Sequence, residues 1–336
     1  MRTGRWALGL VAAGAAAVLG LGGAAPAQPS SDAEELLSAA RTAPEHTSYA
    51  GVLAVTWRDH GHTHRTETYA HVGNGVVEVG GGSSRVVSRG EQRWVGAPGD
   101  WSLVLGPEVP VGAPPPVDAH WELRTAAGPD VAGRATTMVA AIDPRTDATR
   151  ARFFIDRATG TMLRRDVLDP DGSLVRAVSF EAVVPLAPTA ESRQAPVAKP
   201  DEPRAVRTVP SGFPAPGAVG RGYRLLGRYR QPDGSVQLYY GDGLFTLSLF
   251  EQRGTVDWAS VPAGTRHDVH GVQTRALATP TTSAVVWGAH GVVVTCVSDA
   301  PPDQAMLAVR DVVAGGATST FGADLARFVL GPFGWD

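Results

Sequence analysis

Apolar and polar positions alternate with period two through most of this chain, which predicts strands. The pattern is clearest in FFIDRATGTMLRRDVLDPDGSLVRAVSFEAVV, residues 153 to 184. Two turns divide it, Asp156-Arg157-Ala158-Thr159-Gly160 and Asp169-Pro170-Asp171-Gly172. Each opens on an Asp that can accept backbone N–H groups and closes on a Gly that tolerates positive φ. Three antiparallel strands result. Leu163 and Val167 share one face of the middle strand, with Arg164 and Asp166 opposite. Leu174, Val178 and Phe180 share a face of the third. A meander with one apolar side needs a cover.

The same alternation predicts strands over 49–58, 63–72, 76–79, 84–88, 92–95, 101–105, 120–123 and 136–142. Before them, Ser31 and Glu34 form a capping-box pattern. Leu36, Leu37 and Ala40 follow at helical spacing, so a short amphipathic helix is expected over 32–43, ended by Pro44. Residues 106–117 are too rich in Pro and Gly for a central strand. Pro185, Pro188, Pro196, Pro200 and Pro203 mark 185–206 as an extended linker. Strands resume over 223–229, 236–240, 244–251, 274–278, 282–290 and 291–297. Asp299 then caps a helix over about 301–313 with an apolar stripe of Met306, Val309, Val312 and Val313, and the tail from 315 holds a weaker helical pattern. The fold class is α+β, mainly β. A strongly curved, partly open antiparallel sheet with helical cover spans 31–184, and a small antiparallel-sheet domain with a C-terminal helix spans 207–314.

Composition narrows the function. A net charge of −3 gives no reason to expect nucleic acid. Arg2 and Arg5, the apolar run from Trp6 to Leu21, and Ala25-Pro26-Ala27 read as an export signal over 1–27, placing the chain outside the cytoplasm. Cys296, the sole cysteine, cannot form an internal disulfide and reads as a buried small residue. There is no nucleophile elbow, zinc-protease helix, P-loop or dinucleotide fingerprint, so the chain is read as a non-enzyme without cofactor.

Three residue groups stand out. His60, His62 and His64 would share a face on an extended chain and suit a metal, but a turn at Gly61 makes them diverge, and no metal site is assigned. Arg221 lies just ahead of Arg224, Arg228 and Arg230, which differ by even steps and would line one strand face that fits an acidic partner. Trp57, Tyr69, Trp94, Trp101 and Trp121 fall in the curved β region and, with Phe154, Leu163 and Phe180, would line an apolar concavity for an acyl chain. A solvated tip, a solvated Arg face and an ordinary aromatic core are the plainer readings of the three.

Val131-Ala132-Gly133-Arg134, Asp143-Pro144 and the meander through Glu181 resemble the first domain of the MucB/RseB family. Pro210-Ser211-Gly212-Phe213 and Tyr240-Gly241-Asp242-Gly243-Leu244-Phe245-Thr246-Leu247-Ser248-Leu249-Phe250 resemble its second. The resemblance implies a LolA-like half-barrel followed by a smaller β-rich domain. It also implies negative regulation of an extracytoplasmic-function sigma factor, with the exported part of a membrane-anchored anti-sigma factor as partner and a lipid as signal. The alternative is an envelope lipid or lipoprotein carrier using the same half-barrel without signalling.

Overall fold

The computed structural model describes residues 32–81, 84–89, 92–97, 100–105, 115–186, 203–231 and 233–315. The expected export signal, the middle of the Pro-rich linker, most of the 106–117 loop and the tail helix lie outside the described residues.

Eleven strands form the first sheet: β1 (Tyr49–Asp59), β2 (His62–Gly73), β3 (Val76–Gly81), β4 (Ser84–Arg89), β5 (Gln92–Ala97), β6 (Asp100–Leu105), β7 (Glu122–Ala127), β8 (Thr136–Asp143), β9 (Ala148–Asp156), β10 (Met162–Leu168) and β11 (Leu174–Pro185). Their order is β6-β5-β4-β3-β2-β1-β11-β10-β9-β8-β7, an open path in which β1 pairs with β11 across the length of the domain. The meander read from the sequence is β9–β11. Asp156 accepts the Ala158 N–H, and Gly160 and Gly172 close the two turns at φ 72° and 79°. A register irregularity between Met162 and Arg164 separates two residues that alternation places together. Leu163 joins the cluster of Phe154, Phe180, Leu53 and Val55, whereas Val167 packs with Phe153 in another.

Helix α1 (Asp32–His46) runs through Pro44 and does not stop before it. Its last turn is held from outside: Thr47 donates its N–H to the Ala43 carbonyl, and the Pro44 carbonyl accepts the Gly75 N–H from the β2–β3 turn. Ala33 and Leu37 meanwhile pack with Trp121 and Val139 at the β7–β8 side. A helix of this length is about 22 Å long, close to the ~24 Å that separates β2 from β8 at ordinary strand spacing. The helix therefore lies across the strands as a strut.

The second sheet has nine strands: β12 (Arg204–Ala205), β13 (Ala218–Val219), β14 (Tyr223–Arg230), β15 (Val236–Gly241), β16 (Thr246–Arg253), β17 (Thr265–Val269), β18 (Val272–Ala278), β19 (Ser283–Ala289) and β20 (Val292–Ser298). Their order is β12-β14-β15-β16-β20-β19-β18-β17, with β13 beside β14. Helix α2 (Pro302–Gly315) covers one face through Val309 and Val312. The edge strand β17 was not expected, because Thr265-Arg266-His267-Asp268 has no apolar alternation.

The two sheets share one core. A single cluster joins Leu37 of α1, Trp121, Phe153 and Val167 to Tyr223, Leu238, Phe245, Cys296 and Val309. At its centre the Arg165 guanidinium lies between the Phe153 and Phe245 rings, 5.6 and 5.2 Å from their centroids, and pairs with Asp299 at 2.8 Å. Asp299 is thus not the helix cap that its position suggests. Its other oxygen accepts the Thr246 N–H at 2.6 Å. Nearby, the β15–β16 turn inserts against the first domain. Asp242 accepts the Trp121 indole N–H at 3.2 Å, Trp121 meets Phe245 edge to face at 5.4 Å, and Arg41 of α1 donates to the Gly243 carbonyl at 2.7 Å.

Gly243 has φ 93°, and a Cβ there would stand 2.6 Å from the Pro115 carbonyl oxygen. Gly243→Ala is therefore expected to cost about 2 kcal/mol or more, from backbone strain plus contact with backbone that cannot move aside. Urea unfolding of the variant checks this; an unchanged midpoint would mean that the turn does not anchor the domains.

Candidate functional site

The shared core leaves a cleft of about 630 Å³ beside it. One wall is the β1–β2 hairpin tip, with Arg58, Asp59 and His60. The floor is β18 and β19, with Ala276, Ala278 and Val285; Thr265 and His267 of β17 and Met306, Leu307 and Arg310 of α2 complete it. The tip is a two-residue turn in which His60 and Gly61 both have positive φ (48° and 79°) and Asp59 pairs with His62. The result is an apolar floor with a charged rim. Arg58 faces Asp169 at 3.4 Å, Arg221 faces Asp143 at 3.7 Å, Asp59 contacts the His60 Nδ1 at 2.8 Å, and Asp303 pairs with Arg150. Burial pushes the Asp169 carboxyl above its ordinary range, opposed by Arg58.

Behind the cleft the interface is densely polar. Burial lowers the Arg176 guanidinium to about 10, against the attraction of Asp299, and its donors reach the Ala300 carbonyl and Ser283. Burial also pushes Asp242 up to about 7, although the Leu244 and Phe245 N–H groups and Trp121 all donate to it. Glu251 on β16 is fully buried between Val236 and Val294, neither carboxyl oxygen has a hydrogen-bond partner, and burial raises it to about 9.

The residues singled out from sequence are spread over the molecule. Arg221 lines the cleft. Arg224, Arg228 and Arg230 do not form one row. A register shift between Leu225 and Gly227 leaves Arg224 opposite Gly241, while Arg228 and Arg230 oppose Leu238 and Val236 on the other face. Even spacing fails because the bulge adds a residue. Trp57 and Tyr69 stand on opposite faces of the first sheet, since Trp57 pairs with His64 and Tyr69 with Val52. Tyr69 is 68% exposed, Trp94 is buried with Val76 and Val87, and Trp101 lies on the terminal strand β6. Phe154, Leu163 and Phe180 come together, but as packed core. The histidines separate only in part: His60 sits in the turn itself, whereas His62 and His64, opposite Asp59 and Trp57, share one face of β2, and His64 stacks on Trp57 at 5.2 Å. Alternation did not single out His267, Leu307 and Arg310 as cleft residues, because the cleft is assembled from elements far apart in sequence.

No family model and no curated protein matches the chain. Solved structures do. The complex of Pseudomonas aeruginosa MucA and MucB is similar at 21% identity over 88% of this chain and 100% of that one, with a TM-score of 0.49. A crystal structure of MucB is similar at 22% identity over 84% and 98%, also with a TM-score of 0.49. A LolA-superfamily protein from Nitrosomonas europaea is similar at 8% identity over 80% and 92%, with a TM-score of 0.21.

Two outcomes follow from the electrostatics. Arg165→Met leaves Asp299 buried without its charge partner and is expected to lose about 3–5 kcal/mol in urea unfolding; a loss below ~1 kcal/mol would remove Arg165 from the centre of the interface. The folded protein holds protons on Glu251 and Asp242 that the unfolded chain releases, so their contribution to stability is lost as pH rises, through about 7 for Asp242 and about 9 for Glu251. Glu251→Gln should flatten the decline of the urea midpoint between pH ~5 and ~9. An unchanged slope would mean that Glu251 is not held protonated.

Proposed function

We propose that the protein is an extracytoplasmic regulator that holds the exported segment of a membrane-anchored anti-sigma factor in the cleft between its sheets. One observation carries this reading. The segments resembling the MucB/RseB family are those that build the frame behind the cleft: Arg165 lies in the meander, and Asp242, Gly243 and Phe245 form the turn that docks on Trp121, Arg41 and Arg165. A frame of this kind fixes two walls from different domains at a set separation, as selective peptide binding requires. The apolar floor of Ala276, Ala278 and Val285 suits the side chains of an extended segment, and the Arg58, Arg221 and Arg310 rim suits its carboxylates. Among solved structures similar to this chain, MucB is seen with MucA.

Negative regulation of the sigma factor would follow from shielding the bound segment. The lipid signal rests on the family resemblance alone; Phe154, Leu163 and Phe180 pack together as buried core. Export, by the leader read from the sequence, would bring the protein to its partner. No helix among the described residues is long and apolar enough to cross a membrane.

Pull-down with the exported segment of the cognate anti-sigma factor tests the reading. Capture by the wild type, weakened at least ten-fold by Arg221→Ser with Arg310→Ser, is expected. No capture between folded partners would contradict it. Equal capture by the double variant would move the dock away from the cleft.

A further inference from the structure

The interface between the sheets holds a second group of polar side chains, deeper than the cleft. Arg165 on β10 and Arg176 on β11 are diagonal neighbours on one face, since Arg165 pairs with Val178 and Val167 with Arg176. Tyr223 opens β14 of the second sheet and packs in the same core as Val167. The three residues are 2%, 4% and 0% exposed. Arg165, Tyr223 and Asp299 all act on the charge of Arg176, and Arg165 and Asp299 act on Tyr223, so the four side chains are close neighbours.

Arg165, Arg176 and Tyr223 each carry a donor that nothing in the protein accepts. Arg165 gives its Nη1 to Asp299, which leaves Nε and Nη2. Those two nitrogens share one edge of the guanidinium and form an open fork. Arg176 gives Nη1 to the Ser283 hydroxyl and Nη2 to the Ala300 carbonyl, which leaves its Nε. The Tyr223 hydroxyl has no partner either. We infer that these donors hold a small monatomic anion, chloride in ordinary buffers, as a ligand shared by the two domains.

The donor set, and not a net charge, selects the occupant. Buried donors without acceptors are costly. A water molecule could accept from two of them but would then need acceptors for its own two hydrogens. The acceptors nearby are already engaged. Asp299 takes Arg165 through one oxygen and the Thr246 N–H and hydroxyl through the other. Asp242, which also acts on Tyr223, takes the Leu244 and Phe245 N–H groups and the Trp121 indole. Asp169, the remaining carboxylate that acts on Arg176, faces Arg58. A carboxylate or phosphate would bring more acceptor lone pairs than these donors fill. A halide only accepts, takes several donors at once and needs nothing in return. Held there, it joins Arg165 and Arg176 of the first domain to Tyr223 of the second, whether or not the cleft binds a peptide. Stability of the two-domain arrangement then rises with halide concentration.

Melting of the full chain in sodium chloride and in sodium gluconate at equal ionic strength tests this, because gluconate is too large for the site. The melting temperature should be about 2–4 °C higher in chloride and should rise with its concentration. Tyr223→Phe removes one donor and keeps the ring, and should lose about half of that shift or more. Crystals of the wild type grown in sodium bromide should show a buried anomalous peak in contact with the Arg165 Nε and Nη2, the Arg176 Nε and the Tyr223 hydroxyl; this measurement needs no variant to fold. Water density without anomalous signal at that point would overturn the inference. So would a melting temperature indifferent to the exchange of anions, or a chloride shift that Tyr223→Phe retains in full.

Discussion

The Arg165 guanidinium, held between the Phe153 and Phe245 rings and bonded to Asp299, is the contact on which the rest depends. It is expensive to form. Both partners are buried, and the Arg165 Nε and Nη2 find no hydrogen-bond partner in the protein. A well-packed apolar pair would serve stability as well or better. What the charged pair adds is position: aromatic faces fix the guanidinium plane, Asp299 fixes its direction, and Thr246 fixes Asp299. The meander of the first domain is thereby registered against the β15–β16 turn of the second.

Function follows from that registration. Two domains joined only by a Pro-rich segment would move independently. Here they share one core, and the cleft beside it has walls from both. The floor belongs to the second sheet and the hairpin tip to the first, so anything bound there reads the relation between the domains. Coupling between a second ligand and the bound segment needs only that the two favour different arrangements of this interface. The buried carboxyl of Asp242, which accepts the Trp121 indole N–H across the interface, makes it responsive to charge.

Much of this was legible from residues alone. The meander, its two turns, the α+β class and the C-terminal helix followed from alternation, Asp–Gly turns and helical spacing. So did the turn at His60-Gly61, although it leaves His62 and His64 on one face. What was not legible has a common physical cause. Bulges at Leu163 and between Leu225 and Gly227 shift faces by one residue, which split Leu163 from Val167 and Arg224 from Arg228 and Arg230. Pro44 stays in a helix because Gly75, far along the chain, holds its carbonyl. Asp299 looks like a cap locally and is an ion-pair partner globally. The cleft has no sequence signature, because Arg58, His267, Met306 and Arg310 come from three separate elements. The YGDGLF segment was picked out as a family marker, and the structure supplies its mechanical reason: a buried Asp and a positive-φ Gly wedge one domain against the other.

The central claim is that the cleft between the sheets is where a partner segment sits. Hydrogen–deuterium exchange of the full chain, alone and with the exported anti-sigma segment, tests it directly. The account predicts slowed exchange confined to the β1–β2 tip, β17–β19 and the first turns of α2. Slowed exchange on the β2 surface around Tyr69 or along the Arg228–Arg230 edge, with the cleft unchanged, would contradict it.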